Sequence, residues 1–313
     1  MLGKTAGGLY WMFRGLERAE NNARLIEAGF RIALTRSTNT ETEWKSVIVT
    51  SAAQKGFTAK HSEFNSTNVI DYLLRDTDNP SSVLSVVKQA RDNARLVRTA
   101  LTTEVWSAVN ETWMLITELL KNPVPDTDLP EVLSIIRQQS ALVRGALHGT
   151  MLRNDIYDFC RLGTFIERMD STARIIDVKY YTLLPSPALV GSRMDNVQWE
   201  TLLRSVSAHR SYRWAVEEDY TATNIANFLV LDRRMPRSLA FCASHIAENL
   251  EYLSEEYNDR RPSLDMAERL AARLKGRDIH SIIDEGLHDV LGGIISDVAA
   301  LGAQIEKDYR FIH

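Results

Sequence analysis

Only two cysteines, Cys160 and Cys242, occur in the 313-residue chain. They are too few for a disulfide framework or, by themselves, a zinc site, and their scarcity fits a reducing compartment. An excess of one charge is lacking too. With 37 basic and 41 acidic residues well mixed and a net charge of −4, there is no electrostatic case for nucleic acid, and no Lys/Arg block is interleaved with aromatics. No run reads as long and apolar enough to span a bilayer, and the opening Gly-Leu-Tyr-Trp-Met-Phe stretch, broken by Arg14, has no signal-peptide core. The expectation is a soluble, cytoplasmic protein with no membrane partner. A phosphate-binding Gly-rich loop and a Gly-x-Ser-x-Gly element are also missing.

Alternating β-branched runs are nearly absent; Ser46-Val-Ile-Val-Thr-Ser is the one candidate strand. Apolar residues instead recur at helical spacing, as at Leu9, Met12, Phe13, Leu16, Ala23, Ile26, Phe30 and Ala33, which predicts a helix over about 6–35. The same reading gives helices at about 42–55, 80–101, 103–121, 129–148, 154–182, 196–214, 236–257, 263–275 and 278–309. Pro80 and Pro236 are assigned to helix first turns, where a missing N–H costs least, and Pro185 and Pro187 to a helix stop. An all-α bundle follows, with 44% apolar residues to fill its core. Trp44 and Trp199 are read as core anchors, and Gly7-Gly8 and Gly292-Gly293 as close helix contacts.

The chain also carries a diverged copy of itself. Leu16–Ile26 returns at Ile166–Ile176 with Glu17/Glu167, Arg18/Arg168, Ala23/Ala173, Arg24/Arg174 and Ile26/Ile176 identical. Trp44 answers Trp199, and Asn68, Leu73, Asp76, Pro80 and Ser82 answer Asn224, Leu229, Asp232, Pro236 and Ser238. The offset drifts from 150 to 156, as insertions in connections would produce. This predicts a tandem duplication, 1–148 and 149–313, packed as one body about a pseudo-two-fold axis with the two Glu-Arg helices meeting at the centre. The period far exceeds that of solenoid repeats.

Glu17, Glu20, Arg24 and Glu27 fall in one sector of the first helix beside the apolar stripe, and Glu167, Asp170, Arg174 and Asp177 repeat the pattern. Two readings stand. One is a ladder of i,i+4 pairs, Glu20–Arg24 and Asp170–Arg174. The other is a carboxylate-lined cleft for a cation or amine, with arginines placed for a carboxylate or phosphate. In the cleft reading crowded carboxylates repel, so Glu17→Gln or Glu167→Gln would preserve or raise stability. No cofactor is called for, a divalent cation being the one option.

Arg91, Arg95 and Arg98, with Asn93, put three like charges on one helix face, which calls for an anionic partner: the acidic stripe or a bound phosphate. Arg233-Arg-Met-Pro-Arg237 is read as a solvated basic turn or an anion site. Glu285-Gly-Leu-His288 is a lone Glu-x-x-His, where a di-iron bundle needs two.

Four stretches, Tyr10-Trp-Met-Phe-Arg-Gly-Leu-Glu-Arg-Ala-Glu-Asn-Asn-Ala-Arg, Ala90-Arg-Asp-Asn-Ala-Arg-Leu-Val-Arg with Glu104-Val-Trp, Leu162-Gly-Thr-Phe-Ile-Glu-Arg-Met-Asp-Ser-Thr-Ala-Arg with Asp177-Val-Lys-Tyr, and Phe228-Leu-Val-Leu-Asp-Arg-Arg-Met-Pro-Arg-Ser, together resemble the bacterial alpha-E family over essentially the whole chain. The resemblance places that family's Glu-Arg motif on Glu17-Arg18 and Glu167-Arg168, its Arg/Asn-rich helix on Arg91 to Arg98 and its turn on Pro236-Arg237-Ser238. Met169 stands where alanine is usual. The resemblance further implies an association with a circularly permuted ATP-grasp ligase and a transglutaminase-like protease, sometimes a proteasome-related peptidase. The expected role is an accessory or substrate-binding partner in peptide synthesis or modification. The alternatives are a carboxylate- or metal-dependent enzyme acting on a peptide or amine, and a structural scaffold; a homo-oligomer is compatible with any of them.

Overall fold

A computed structural model describes residues 1–35, 40–182, 193–216 and 220–311. The expected stop at Pro185 and Pro187 lies outside the described residues. Among these residues the chain forms fourteen α-helices, one 3-10 turn and no strand. The first seven are α1 Gly3–Thr35, α2 Thr40–Thr50, α3 Gln54–Lys60, α4 Ser66–Leu74, α5 Val83–Leu96, α6 Thr103–Leu119 and α7 Leu129–Thr150, with the 3-10 turn at Arg98–Ala100. The second seven are α8 Asp155–Thr182, α9 Arg193–Ser205, α10 His209–Ala215, α11 Ala222–Leu231, α12 Leu239–Tyr257, α13 Pro262–Leu274 and α14 Ile279–Asp308.

The long helices α1 and α8 form the central pair. They run side by side in the same direction, since Gly163 abuts Tyr10 and Arg14 while Glu167, one turn on, meets Arg14 and Arg18. Around α1 pack α5 and α7, and around α8 pack α12 and α14. The tryptophan helices reach across: α2 touches α8, and α9 touches α1. Trp44 and Trp199 are buried, so burying two large indoles fastens each short helix to the central pair.

Local chemistry sets the ends. The predicted helix over 196–214 is two helices, because Ser207 takes a left-handed φ of 55° between α9 and α10. Ala52 has the same φ between α2 and α3, and the following amides, of Ala53 and Ala208, bond back to Ile48 and Leu203. Each such turn closes a helix as a left-handed cap does. Pro80 and Pro236 lie in turns and not in helix first turns; Ser82 and Ser238 are the N-caps, their hydroxyls accepting from the amides of Ser85 and Phe241. Asn65 and Thr221 cap α4 and α11 in the same way, accepting from the amides of Asn68 and Asn224. The periodicity reading missed α4 and α11, whose short length leaves few turns to count. The candidate strand is helical within α2, where backbone bonding and Trp44 burial override β-branched propensity.

These paired caps recur at offsets of 155 and 156. They support the proposed duplication, and a superposition of 6–120 on 156–275 that failed to bring the Trp44 and Trp199 helices into one orientation would remove it. One expectation needs correction: α14 contains an apolar stretch, mean hydropathy 1.2, long enough by length and composition to cross a membrane. Here it packs on α8, α11 and α13.

Close approach of the central pair depends on Gly163, where an added Cβ would stand 2.2 Å from the Tyr10 carbonyl oxygen on α1. Gly7 and Gly8 are likewise in contact, with Phe311 and Val97, whereas a Cβ at Gly292 would meet nothing within 4 Å. Gly163→Ala is therefore expected to destabilise by about 3 kcal/mol, and Gly292→Ala to stabilise by up to about 1 kcal/mol through helix propensity. Denaturant titration of the two variants checks the contrast.

Candidate functional site

The acidic sector of α1 is not at the edge of the core but in it: Glu17 is 1% exposed and Glu20 is fully buried. Phe13, Leu16 and Ala23 on the same helix draw this face inward by apolar burial, and the carboxylates go with them. Each is met by arginine. Arg168 grips Glu17 through two bonds of 2.9 Å, from Nε and Nη2. Arg18 grips Glu167 in the same forked manner at 2.6 and 2.7 Å. The two Glu-Arg motifs thus exchange partners across the α1–α8 contact: the glutamate of each pairs with the arginine of the other.

Further guanidiniums close around this exchange. Arg14 adds a bond of 3.1 Å to Glu167. Arg237, from the turn before α12, lies 2.9 Å from Glu17 and 2.8 Å from Glu20 and also donates to Asn21 Oδ1 at 2.9 Å. Arg144 on α7 pairs with Glu20, and Arg24 holds Glu20 at 2.5 Å. The turn before α5 joins from the other side, with Asn22 donating to the Ser81 carbonyl at 2.7 Å. Arg168 reaches the carbonyl of Pro236, in the turn before α12, at 3.2 Å.

Burial by itself would push Glu17 towards its neutral form, but Arg168, Arg237 and Arg144 outweigh it and hold its pKa well below the ordinary value. Glu167 is likewise lowered: burial opposes ionisation, and Arg18 and Arg14 overcome it. Burial brings Arg237 down to about 10, with Glu17 and Glu20 resisting the fall; it stays charged at neutral pH. The expected repulsion between carboxylates is therefore not what governs this region. Attraction to arginine governs it, and a divalent cation would have to displace guanidiniums from Glu17, Glu20 or Glu167.

The ladder pairs form as expected, Arg174 binding Asp170 at 2.8 and 3.0 Å. They are the outer edge of the larger network. Arg91 and Arg98 turn from the acidic stripe to α6: Arg91 bonds Asn110 at 3.0 Å and lies 4.0 Å from the Trp113 ring centre, and Arg98 lies over Trp106. Cation–π contact, which the charge count does not anticipate, offsets their crowding. Arg95 is exposed and Asn93 lines a separate cleft with Lys88 and Asp92. Of the basic turn, Arg234 is a solvated partner of Asp232, as read, but Arg237 is buried. Glu285 pairs with Arg277 and His288 with Asp177, so the two point to different partners. Arg14, Arg144, Asn21 and Ser81 were not singled out by sequence. Arg14 and Arg18 at i,i+4 were a legible signal, as were Arg137, Ser140 and Arg144 on one face of α7.

Two clefts flank the locked centre. One, of about 260 Å³, lies over Arg14, Arg18, Asp170 and Arg174 beside the Ala52 turn. The other, of about 430 Å³, lies beside the Ser207 turn and is lined by Arg24, Arg31, Arg137, Arg204 and Arg210, with Glu27 as the one acid in its wall. Glu27 already pairs with Arg31 and Arg137. Burial and the nearby Arg204 hold His209 in the wall below its ordinary pKa, as expected beside concentrated positive charge.

The model of the Alpha-E family, described as a predicted alpha-helical domain with a conserved ER motif, matches residues 1–310. No curated protein and no solved structure matches the chain.

Removing one member of a buried pair leaves the other charge uncompensated, at a cost of about 3–5 kcal/mol. Glu17→Gln and Glu167→Gln should each lower unfolding free energy by that order, opposite to the outcome for a cleft of repelling acids. Because both folded pKa values are depressed, this stability is present above the ordinary value of 4.5 and lost as pH falls towards the folded values. Urea titrations between pH 7 and pH 3 should show wild type and Glu17→Gln converging as the acid limb is reached.

Proposed function

The chain belongs to the Alpha-E family, and on that premise we propose that it is an accessory, substrate-binding partner of a circularly permuted ATP-grasp peptide or amide ligase. Its own part is to hold an acidic substrate group while the ligase performs the ATP-dependent step. The observation that carries this reading is the concentration of guanidinium in the cleft beside Ser207, where five arginines converge; Arg24 is held by Glu20, Arg31 and Arg137 by Glu27 and Arg204 by Glu200, and Arg210 has no ion pair among the described residues. Guanidiniums bind carboxylate and phosphate in paired, directional bonds, and the carboxylate of a peptide is the group an amide ligase must activate. The central glutamates support the same division of labour. Engaged by arginine on every side, they brace the helices and are poorly placed to exchange protons with a substrate.

Arg204 and Arg210 are exposed, so replacing them costs the fold little. Arg204→Ala/Arg210→Ala is expected to keep stability within about 0.5 kcal/mol of wild type and to reduce ligation by the reconstituted pair at least tenfold, mainly through a higher KM for the acidic substrate. Co-elution of the two proteins on size exclusion at micromolar concentration, in a cytoplasmic-like buffer, tests the partnership itself. Separate peaks together with unchanged ligation by the double variant would remove the proposal.

A further inference from the structure

A further cleft, of about 650 Å³, opens between the first turns of α8 and the C-terminal half of α12, lined by Arg153, Asp158, Arg161, Glu248, Tyr252 and Glu256 among others. It lies sixteen residues, roughly 24 Å along the helix, before Arg174, and its electrostatics are inverted relative to the arginine-lined cleft.

Its floor is Asp158, 5% exposed, whose carboxyl has no hydrogen-bond or ion-pair partner among the described residues. An unanswered carboxyl in the wall of a cavity calls for a donor, because a buried polar group left unpaired is costly. Two arginines, Arg153 and Arg161, share this wall and neither forms an ion pair with Asp158. Arg153 donates to the carbonyls of Met151 and His148, both at 2.8 Å, and lies over the Tyr157 ring; Arg161 lies 4.4 Å from the Phe165 ring centre. Glu248 is engaged by His245 and by the Tyr252 hydroxyl, while Glu255 and Glu256 rim the opening and are exposed.

We propose that this cleft binds a primary ammonium group, seated on the Asp158 carboxylate and flanked by the ring of Tyr252. The ammonium supplies up to three donors, answers the unpartnered carboxyl, and gains from the Tyr252 face. A free aliphatic amine and a lysine side chain of a peptide share this chemistry.

The groups facing Asp158 are Asp155 and Arg161 on α8, Glu248, Tyr252 and Glu256 on α12, and Tyr309 beyond α14. Burial, then Glu256 and Asp155, push the empty carboxyl up to about 7, with Arg161 opposing. An arriving ammonium favours the ionised form, so binding releases a proton and tightens as pH rises from 6 to 8. A raised acid pKa contributes stability that is full below the unfolded value and lost as pH rises through the folded one. Asp158→Asn should thus gain stability over wild type as pH rises, by more at pH 8 than at pH 5.

Isothermal titration calorimetry of the full chain with 1,4-diaminobutane and with Nα-acetyl-lysine amide tests the site. Saturable binding of at least one, with Kd below about 1 mM, is expected at pH 8. Tighter binding of the diamine assigns a free amine, tighter binding of the lysine amide a peptide. Asp158→Asn is expected to weaken binding at least tenfold without lowering the melting temperature, and the exposed-site variant Tyr252→Ala to weaken it about threefold. No saturation by either probe to about 10 mM, or equal binding by Asp158→Asn, would overturn the proposal.

Discussion

The reciprocal exchange between Glu17-Arg18 and Glu167-Arg168 is the interaction on which the rest of the structure depends. It places four charges between two helices, in a region with little water to screen them. At 4 Å and an effective dielectric of 20 one such pair is worth about 4 kcal/mol, against a desolvation cost of several kcal/mol per ion. The balance closes only because the geometry is forked and further guanidiniums crowd in: Arg237 and Arg144 lie 2.9 and 3.6 Å from Glu17, and Arg14 donates to Glu167. A shift of α8 along α1 by one residue would break both forks at once. The exchange therefore specifies register more than it adds stability.

Everything around it follows from holding α1 and α8 in that register. Gly163 permits the contact, and the surrounding helices cover the pair, α5 and α7 on one side and α12 and α14 on the other. The turns before α5 and α12 touch the charged centre from opposite sides, through Ser81 and through Arg237. Here the two turns differ: a serine in one and an arginine in the other leave Glu17 and Glu20 with more positive neighbours than Glu167 has. This asymmetry biases the site electrostatically and is reinforced by Arg137 and Arg144, so the larger arginine cleft lies towards α1.

Much of the fold was legible because period and repetition are local properties of a sequence. The long helices were placed within a few residues, and the duplicated motif pointed to a central pair. The caps at Ala52 and Ser207 were not legible, since neither alanine nor serine announces a left-handed φ. In the site, the ladder pairs Glu20–Arg24 and Asp170–Arg174 follow from spacing alone. The exchange does not, because an i,i+4 rule cannot see a partner about 150 residues away. Arg237 was misread for the same reason: a basic turn looks solvated until the carboxylates beneath it are known. The apolar length of α14 and the cation–π partners of Arg91 and Arg98 also emerge only with tertiary context.

The proposed binding role rests on this separation of a locked centre from open, oppositely charged clefts. A double-mutant cycle tests the central claim most directly. Unfolding free energies of wild type, Arg18→Gln, Glu167→Gln and the double variant give the coupling across the α1–α8 contact independently of the cost of each single change. The account predicts a coupling of about 2–3 kcal/mol at pH 7. It should be unchanged when Asp170→Asn is introduced as a background. A coupling below about 0.5 kcal/mol would mean that the two motifs do not hold each other, and would contradict the account.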